Sequence, residues 1–287
     1  MPDRRPYSMM TASLVRPVRV QHVSDGAVDS RADVAATEEP LEVRVNDEPF
    51  AVIMRTPGAD RELTAGFLLA EQVVLEAADI QSIDRDPIGT NTLSVQIGAE
   101  RARALAARAT ERRRVVMNSA CGLCGRVTIE SLRADAPAIE AEWTIPAATI
   151  GALAAALRSH QAVFEQTGGL HAAGLFDRSG ALEIMAEDVG RHNAVDKVIG
   201  RMLLEGRIPL SESVLFVSGR TSYEIVQKAY LAGIPIVAAV SAPSSLAVEL
   251  AEDAGLTLLG FVRGSTFNVY SHARRIACHP GPALHHP

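Results

Sequence analysis

The stretch from Val214 to Val262 constrains this chain more than any other. Val214 to Val217 reads as a buried strand, Tyr223 to Leu231 as a helix closed by Gly233, and Ile236 to Val240 as a second strand. Ser245 to Ala254 then reads as a helix closed by Gly255, and Leu256 to Val262 as a third strand. This βαβαβ order predicts an α/β fold with a parallel sheet and right-handed crossovers. Parallel strands all end on one edge, and ligands bind in the crevice outside those carboxyl ends. Three loops should therefore share one rim: Ser218-Gly219-Arg220-Thr221-Ser222, Ser241-Ala242-Pro243-Ser244-Ser245 and Arg263-Gly264-Ser265-Thr266. Hydroxyl donors, glycine, helix-start N–H groups and a guanidinium in two of the loops are what phosphate binding requires. The same residue types serve as ordinary turn and cap residues, so the anion site rests on the three loops meeting.

At 287 residues the chain has room for about two domains. Hydrophobic residues at 47% and charged residues at 22% exclude wholesale disorder, collagen and coiled coil. Residues 1–38 mix Pro, Ser, Asp and Arg without a sustained period and read as a disordered arm. Residues 39–143 read as a smaller α+β lobe that ends with a cysteine loop. A hairpin turns at Asn46-Asp47, Asp60 caps a helix with Leu63, Phe67 and Val74 roughly on one face, and Leu93, Val95 and Ile97 alternate as a strand. Residues 100–114 hold six arginines against two glutamates and lead into that cysteine loop. Residues 144–277 form the second domain. It opens with an Ala-rich helix over 148–164, ended by Thr167-Gly168-Gly169, and a hairpin turning at Asp177 to Gly180 whose return strand is Leu182 to Ala186. Residues 278–287, rich in Pro and His, form a flexible tail, so His279, His285 and His286 read as solvated.

A formal charge of −6 argues against a general nucleic-acid field, so any anion site is local. No apolar run is long enough to span a bilayer, and Arg4-Arg5 is not followed by the apolar core of a signal peptide. Three cysteines, two of them at CxxC spacing, point to a reducing compartment, the cytoplasm, and to a reactive or metal-binding pair.

Cys121 and Cys124, in Ser119-Ala120-Cys121-Gly122-Leu123-Cys124-Gly125, permit three chemistries. Zinc needs about four ligands, and the remaining cysteine, Cys278, lies in the tail, so no metal is expected. Disulfide exchange stays open. So does sulfur transfer through a persulfide, favoured by arginines 112 to 114 that would lower a thiol pKa. The polar run Glu187 to Lys197 follows a strand and enters a helix with Val195, Val198, Ile199 and Met202 on its buried face, leaving ion-pair scaffolding and catalysis both open. His171 is a candidate ligand contact. Deaminase chemistry is ruled out, because Ala173 stands where that motif needs Glu and the CxxC precedes it in the chain.

Together, Ser119 to Gly125, Thr167-Gly168-Gly169-Leu170-His171, Glu187 to Lys197, Ser218-Gly219-Arg220, and Gly260-Phe261-Val262-Arg263 with Asn268-Val269-Tyr270 resemble the FdhD/NarQ family of formate dehydrogenase accessory proteins, from about Leu41 to Tyr270. The resemblance implies a sulfurtransferase of molybdenum-cofactor maturation. It would take sulfur from a cysteine desulfurase and pass it to molybdenum bis(molybdopterin guanine dinucleotide), for formate dehydrogenase as client. It also implies a cytidine-deaminase-like α/β fold for the C-terminal domain, and a homodimer. Carried over, Cys121 bears the persulfide, Cys124 supports or resolves it, and Phe261, Val262, Arg263, Gly264, Ser265 and Thr266 bind cofactor. Arg220, Ser218 and His171 join them from the rim reading, with Arg220 and Arg263 on phosphate. Two rival functions follow from the same residues: a non-catalytic cofactor chaperone and a dithiol oxidoreductase.

Overall fold

The computed structural model describes residues 13–86, 91–109, 117–118 and 136–278. In chain order the strands and helices are β1 (Val15–Ser24), β2 (Ala27–Ala36), β3 (Glu39–Val45), β4 (Glu48–Arg55), α1 (Asp60–Ala70), β5 (Ile80–Arg85), β6 (Thr92–Ile97), α2 (Ala99–Ala109) and β7 (Met117–Asn118). There follow β8 (Ile145–Pro146), α3 (Ala147–Arg158), α4 (Ala162–Thr167), β9 (His171–Phe176), β10 (Leu182–Asp188), α5 (Arg191–Leu204) and β11 (Val214–Val217). The chain closes with α6 (Tyr223–Leu231), β12 (Ile236–Ala239), α7 (Ser245–Asp253), β13 (Thr257–Arg263), β14 (Thr266–Ser271) and β15 (Ile276–Ala277).

The expected βαβαβ unit is present, with β11, β12 and β13 parallel. It forms the centre of a mixed six-stranded sheet of order β10-β9-β11-β12-β13-β14, whose outer strands run antiparallel. A second, five-stranded sheet of order β5-β6-β3-β4-β7 belongs to the N-terminal lobe. The molecule is thus mixed α/β.

One continuous core joins the two sheets, from Leu41, Val43 and Leu93 through Leu63, Leu68, Val195 and Ile199 to Leu215, Val217 and Leu258. At its centre α1 crosses α5 so closely that no side chain fits between them. A Cβ added at Gly66 would lie 2.0 Å from the Asp196 carbonyl oxygen, and one at Gly200 would lie 1.9 Å from that of Glu62. The opposite face of the six-stranded sheet packs under α3 through Ile150, Leu153, Phe176, Phe216 and Val262.

Several expectations are corrected. Residues 15–36, read as part of a disordered arm, form a ten-residue-per-strand antiparallel ribbon. Val15, Val18, Val20 and Val23 favour extended backbone, and Asp25 and Gly26, both with positive φ, make the two-residue turn that matches strand twist. Asp60 does not cap α1, because Ala59 holds the cap position. Its buried carboxylate instead binds Arg55 at 3.0 Å and Arg85 at 2.7 Å. The single helix expected over 148–164 is two helices, broken at residues 159–161. The carboxylate of Glu187 on β10 accepts from the Val163 and Phe164 N–H groups, and so caps a fresh start at α4.

Residues 137–143, assigned by sequence to the first lobe, pack on the second. Ile139 donates its N–H to the Ala254 carbonyl, and buried Arg275 donates to the carbonyls of Ile139, Ala141 and Gly255. Burial, and then neighbouring Arg274, hold the Arg275 pKa below its ordinary value. Cys121, Cys124 and residues 279–287 of the expected tail lie outside the described residues.

Candidate functional site

The loops that leave β11, β12 and β13 meet on one edge, and the backbone zips them together. Thr221 donates to the Ala242 carbonyl at 3.2 Å, Ser244 donates to Thr221 at 3.0 Å, and Phe261 donates to Ser241 at 3.2 Å. Arg220 and Arg263 stand exposed on this rim. Among the described residues neither makes an ion pair.

β13 bulges between Gly260 and Arg263, and Phe261 takes a left-handed φ of 55° and is 39% exposed. Such backbone costs energy in a residue with a Cβ and occurs where the surrounding structure imposes it. The bulge has opposite effects on neighbours: Phe261 faces solvent while Val262, 1% exposed, is sealed under α3. Of the six residues from Phe261 to Thr266, Val262 therefore has no side chain to offer a ligand. Gly264, Ser265 and Thr266 form an exposed turn braced on α3, where a Cβ at Gly151 would meet the Gly264 carbonyl oxygen at 2.3 Å.

His171 opens β9 beside the first rim loop. Ser218 is stitched to Ala172 by two hydrogen bonds of 2.9 Å, from Ala172 N–H to the Ser218 hydroxyl oxygen and from Ser218 N–H to the Ala172 carbonyl. Gly219 passes directly over His171 and Arg191: a Cβ there would lie 3.3 Å from His171 Nδ1 and 3.7 Å from Arg191 Cδ. Burial, and then the positive charges of Arg191 and His192, press the His171 pKa below its usual value against the pull of Asp188. His171 is thus neutral at neutral pH, a hydrogen-bonding group and not a cation.

The run 187–197 divides between scaffold and site. Asp188, fully buried, accepts from Lys197 Nζ at 2.7 Å, from the backbone N–H of Thr56 and Gly190, and from Asn193. Lys197 and Asn193 in turn hold the carbonyls of Thr56 and Met54 at the end of β4. Asp196 pairs with Lys228 at 2.7 Å, and burial pushes its pKa up against that cation. Asp188, Asn193 and Lys197 thus lock α5 to the end of β4, and Asp196 locks it to α6.

Arg191 and His192 differ, because they begin α5 on the rim side. Arg191 Nε is sealed from solvent with no partner among the described residues. His192 Nε2 lies 2.7 Å from the Glu224 carboxylate and 3.0 Å from the Ser222 hydroxyl, which itself donates to Glu224 at 3.0 Å. Burial would raise the Glu224 pKa, but hydrogen bonds from His192 and Ser222 and the charge of Lys228 bring it below the ordinary value. Carboxylate and serine share one ring nitrogen, so this is not the relay that activates a serine nucleophile, in which they take opposite nitrogens. Glu224 was missed by sequence reading; its one signal was an acid in the first turn of α6.

Beside the rim, on the α3 side, lies a cleft of about 480 Å³ lined among others by Leu157, Phe164, His171, Phe216, Ser218 and Val240.

Set against known proteins, the FdhD/NarQ family model matches residues 36–277. The chain belongs to the FdhD/NarQ family. It is 47% identical over 271 residues to the sulfur carrier protein FdhD of Streptomyces avermitilis, covering 90% of this chain and 94% of that protein. It is 48% identical over 265 residues to the sulfur carrier protein FdhD of Sulfolobus acidocaldarius, covering 91% of this chain and 98% of the relative. A crystal structure of a proposed formate dehydrogenase accessory protein from Desulfotalea psychrophila superposes with a TM-score of 0.74 at 29% identity, over 92% of this chain and all of that one. The FdhD/NarQ match spans both sheets and the rim, and within it β7 runs parallel to β4, toward the Met54 and Thr56 carbonyls that anchor α5. Cys121 follows β7 three positions after Asn118 in the sequence. Among the described residues no helix is long and apolar enough to cross a membrane.

Proposed function

We propose that this chain is a sulfur carrier of formate dehydrogenase maturation, working as a cytoplasmic homodimer. Cys121 accepts sulfur from a cysteine desulfurase as a persulfide and passes it to molybdenum bis(molybdopterin guanine dinucleotide), which is here the substrate. The observation that carries this reading is the family match over residues 36–277, which contains the Cys121–Cys124 pair and whose relatives bear the sulfur-carrier name. In the same reading the six-stranded sheet with its helices is the cytidine-deaminase-like domain, used for binding and not for deamination.

The loading step is thiol exchange. The Cys121 thiolate attacks the outer sulfur of the desulfurase persulfide, one S–S bond forms as another breaks, and the desulfurase cysteine leaves as a thiolate. On delivery, the Cys124 thiolate attacks the inner sulfur of the Cys121 persulfide and releases hydrosulfide to replace an oxygen ligand of the metal, which leaves as water. The disulfide left behind is then reduced by a cellular dithiol. For its part the rim holds the anionic end of the substrate, with Arg220 and Arg263 as the exposed guanidinium groups and Ser218 and Ser265 as hydroxyl donors, while the Thr266 hydroxyl is spent on the Arg263 carbonyl at 3.1 Å. The turn from Arg263 to Thr266 is braced on α3 through the close approach of Gly151 to the Gly264 carbonyl, and Ser218 is held separately by Ala172.

The test is to incubate the purified protein with a cysteine desulfurase and cysteine, then read the peptide that carries Cys121 by non-reducing mass spectrometry. One added sulfur, removed by cyanide and absent in Cys121→Ala, is the expected result. No adduct, with the desulfurase active on another acceptor, overturns the reading. Cys124→Ser with full turnover would remove the disulfide step alone.

A further inference from the structure

The ribbon of β1 and β2 contributes nothing to either hydrophobic core. Its root is tied down. Thr37 donates its N–H to the Leu14 carbonyl, Arg16 pairs with Glu39, and Ala36 packs on Gly169, where an added Cβ would lie 3.6 Å from the Ala36 Cβ. From residue 17 to residue 33 every position is exposed except Val20, which is half-buried. At about 3.3 Å per residue that free part is roughly 25 Å long. A two-stranded ribbon is marginal on its own in water, and this one pairs with no third strand among the described residues.

The two faces of the ribbon differ, because residues directly opposite in an antiparallel pair share a face. One face carries Arg16, His22, Asp29, Arg31 and Asp33. The other has Arg19 as its one charge and ends at the tip in Val23 opposite Val28. These two valines are 64% and 61% exposed, more than any other large hydrophobic among the described residues. They leave paired apolar surface in water that a partner would gain by covering.

The position of the root decides which partner comes to it. Glu39 lies opposite Arg55, so β3 begins beside the end of β4, and β7, paired in parallel with β4 through Val52 and Asn118, runs toward that same end. Two strand spacings of about 4.8 Å and three rises of about 3.3 Å put Glu39 roughly 15 Å from Asn118, which precedes Cys121 by three positions. In the proposed function the loading step needs a second protein at Cys121, because a sulfur held on another protein's cysteine moves only when the two sulfur atoms touch. A ribbon face of roughly 25 by 10 Å offers less than the about 800 Å² per partner of a stable complex. It suits an encounter that forms and releases at each turnover.

We propose that the apolar face of this ribbon, anchored by the Val23–Val28 tip, docks the sulfur-donor protein, the one that carries the persulfide on its own cysteine. The matching surface on the donor is apolar and not basic, since Arg19 is the one charge on this face. This inference rests on the proposed function for its donor and deepens it by giving the donor a landing site outside the family match, which begins at residue 36.

Val23→Lys with Val28→Glu tests it, since the new ion pair keeps the strands together while the apolar tip is lost. Loading of Cys121 is followed with two donors. One is a cysteine desulfurase with cysteine. The other is glutathione persulfide, whose outer sulfur the Cys121 thiolate takes directly as glutathione leaves as its thiolate. The double variant is expected to load at least tenfold more slowly from limiting desulfurase and at the wild-type rate from glutathione persulfide. If its ribbon does not form, Val23→Thr with Val28→Thr takes its place. An unchanged rate with the desulfurase, or equal slowing with both donors, overturns the inference. So does a smaller assembly in light scattering, which would make the tip a contact between copies of this chain. If the desulfurase does not load wild type at all, the proposed function falls by itself. Binding of the desulfurase to Cys121→Ala protein, with and without the tip substitutions, then decides the inference by biolayer interferometry: tenfold weaker binding upholds it, and equal or absent binding overturns it.

Discussion

Two polar regions of this protein look alike in sequence and differ in what their groups have left to give. The run from Glu187 to Lys197 and the loops at 218–222, 241–245 and 263–266 are both dense in hydrogen-bonding residues at the ends of strands. In the first, Asp188, Asn193, Asp196 and Lys197 are buried and spend their bonds on Thr56 and Met54 at the end of β4 and on Lys228 of α6. In the second, Arg220 and Arg263 are exposed and make no ion pair among the described residues. A residue committed to its own fold holds position, while an exposed residue without a protein partner is free to take a ligand.

The sharpest way to break this contrast is Lys197→Met, which strands the Asp188 carboxylate in the interior. It is expected to cost about 3–5 kcal/mol in urea unfolding, the range for removing one partner of a buried pair. A loss below 1 kcal/mol would move Asp188 and Lys197 out of the scaffold class. Next comes Gly200→Ala on the same helix, where the new methyl meets the Glu62 backbone; about 1–3 kcal/mol should be lost, as for other overpacked cores.

On the rim the pattern reverses. Replacing Arg220 and Arg263 together by alanine should leave the melting temperature nearly unchanged, yet weaken GDP by about tenfold or more, as expected for a charge-assisted phosphate contact. The salt dependence of binding should flatten with it. A double variant that binds normally would turn these arginines into ordinary surface charge.

The smallest effect belongs to His171, which sits between the two regions. Its folded pKa lies below the ordinary 6.5, so the unfolded chain binds the extra proton first and stability falls as pH drops below that value. His171→Gln should therefore lose less stability than wild type between pH 7 and pH 5. Parallel curves would mean that no such proton is taken up.

The parts of the fold that announce themselves are those where period and punctuation agree. The βαβαβ unit, the Asn46-Asp47 turn, with positive φ at both residues, and the turn from Asp177 to Gly180 follow directly from local chemistry. The ribbon at 15–36 carried its own signal, Asp25-Gly26 between valines, but exposure on both faces blurred the alternation that a half-buried strand shows. Asp60 illustrates a different limit. A local rule made it a cap, and the buried Arg55, five residues away in sequence, took it instead. The rim was legible because topology forces parallel strands to finish together. Glu224 was not, because it matters through the imidazole of His192 that crosses to it from α5, and no spacing along the chain encodes that.

The crossing of α1 and α5 carries a genetic consequence. Where side chain meets side chain, a swollen residue can be forgiven by a shrunken neighbour. At Gly66 and Gly200 the opposing atoms are main-chain carbonyls, which no substitution can trim. Suppressors of a bulky change at either position should therefore not map to the facing residues. They should map to positions that let a whole helix shift, and revertants should be dominated by return to glycine itself.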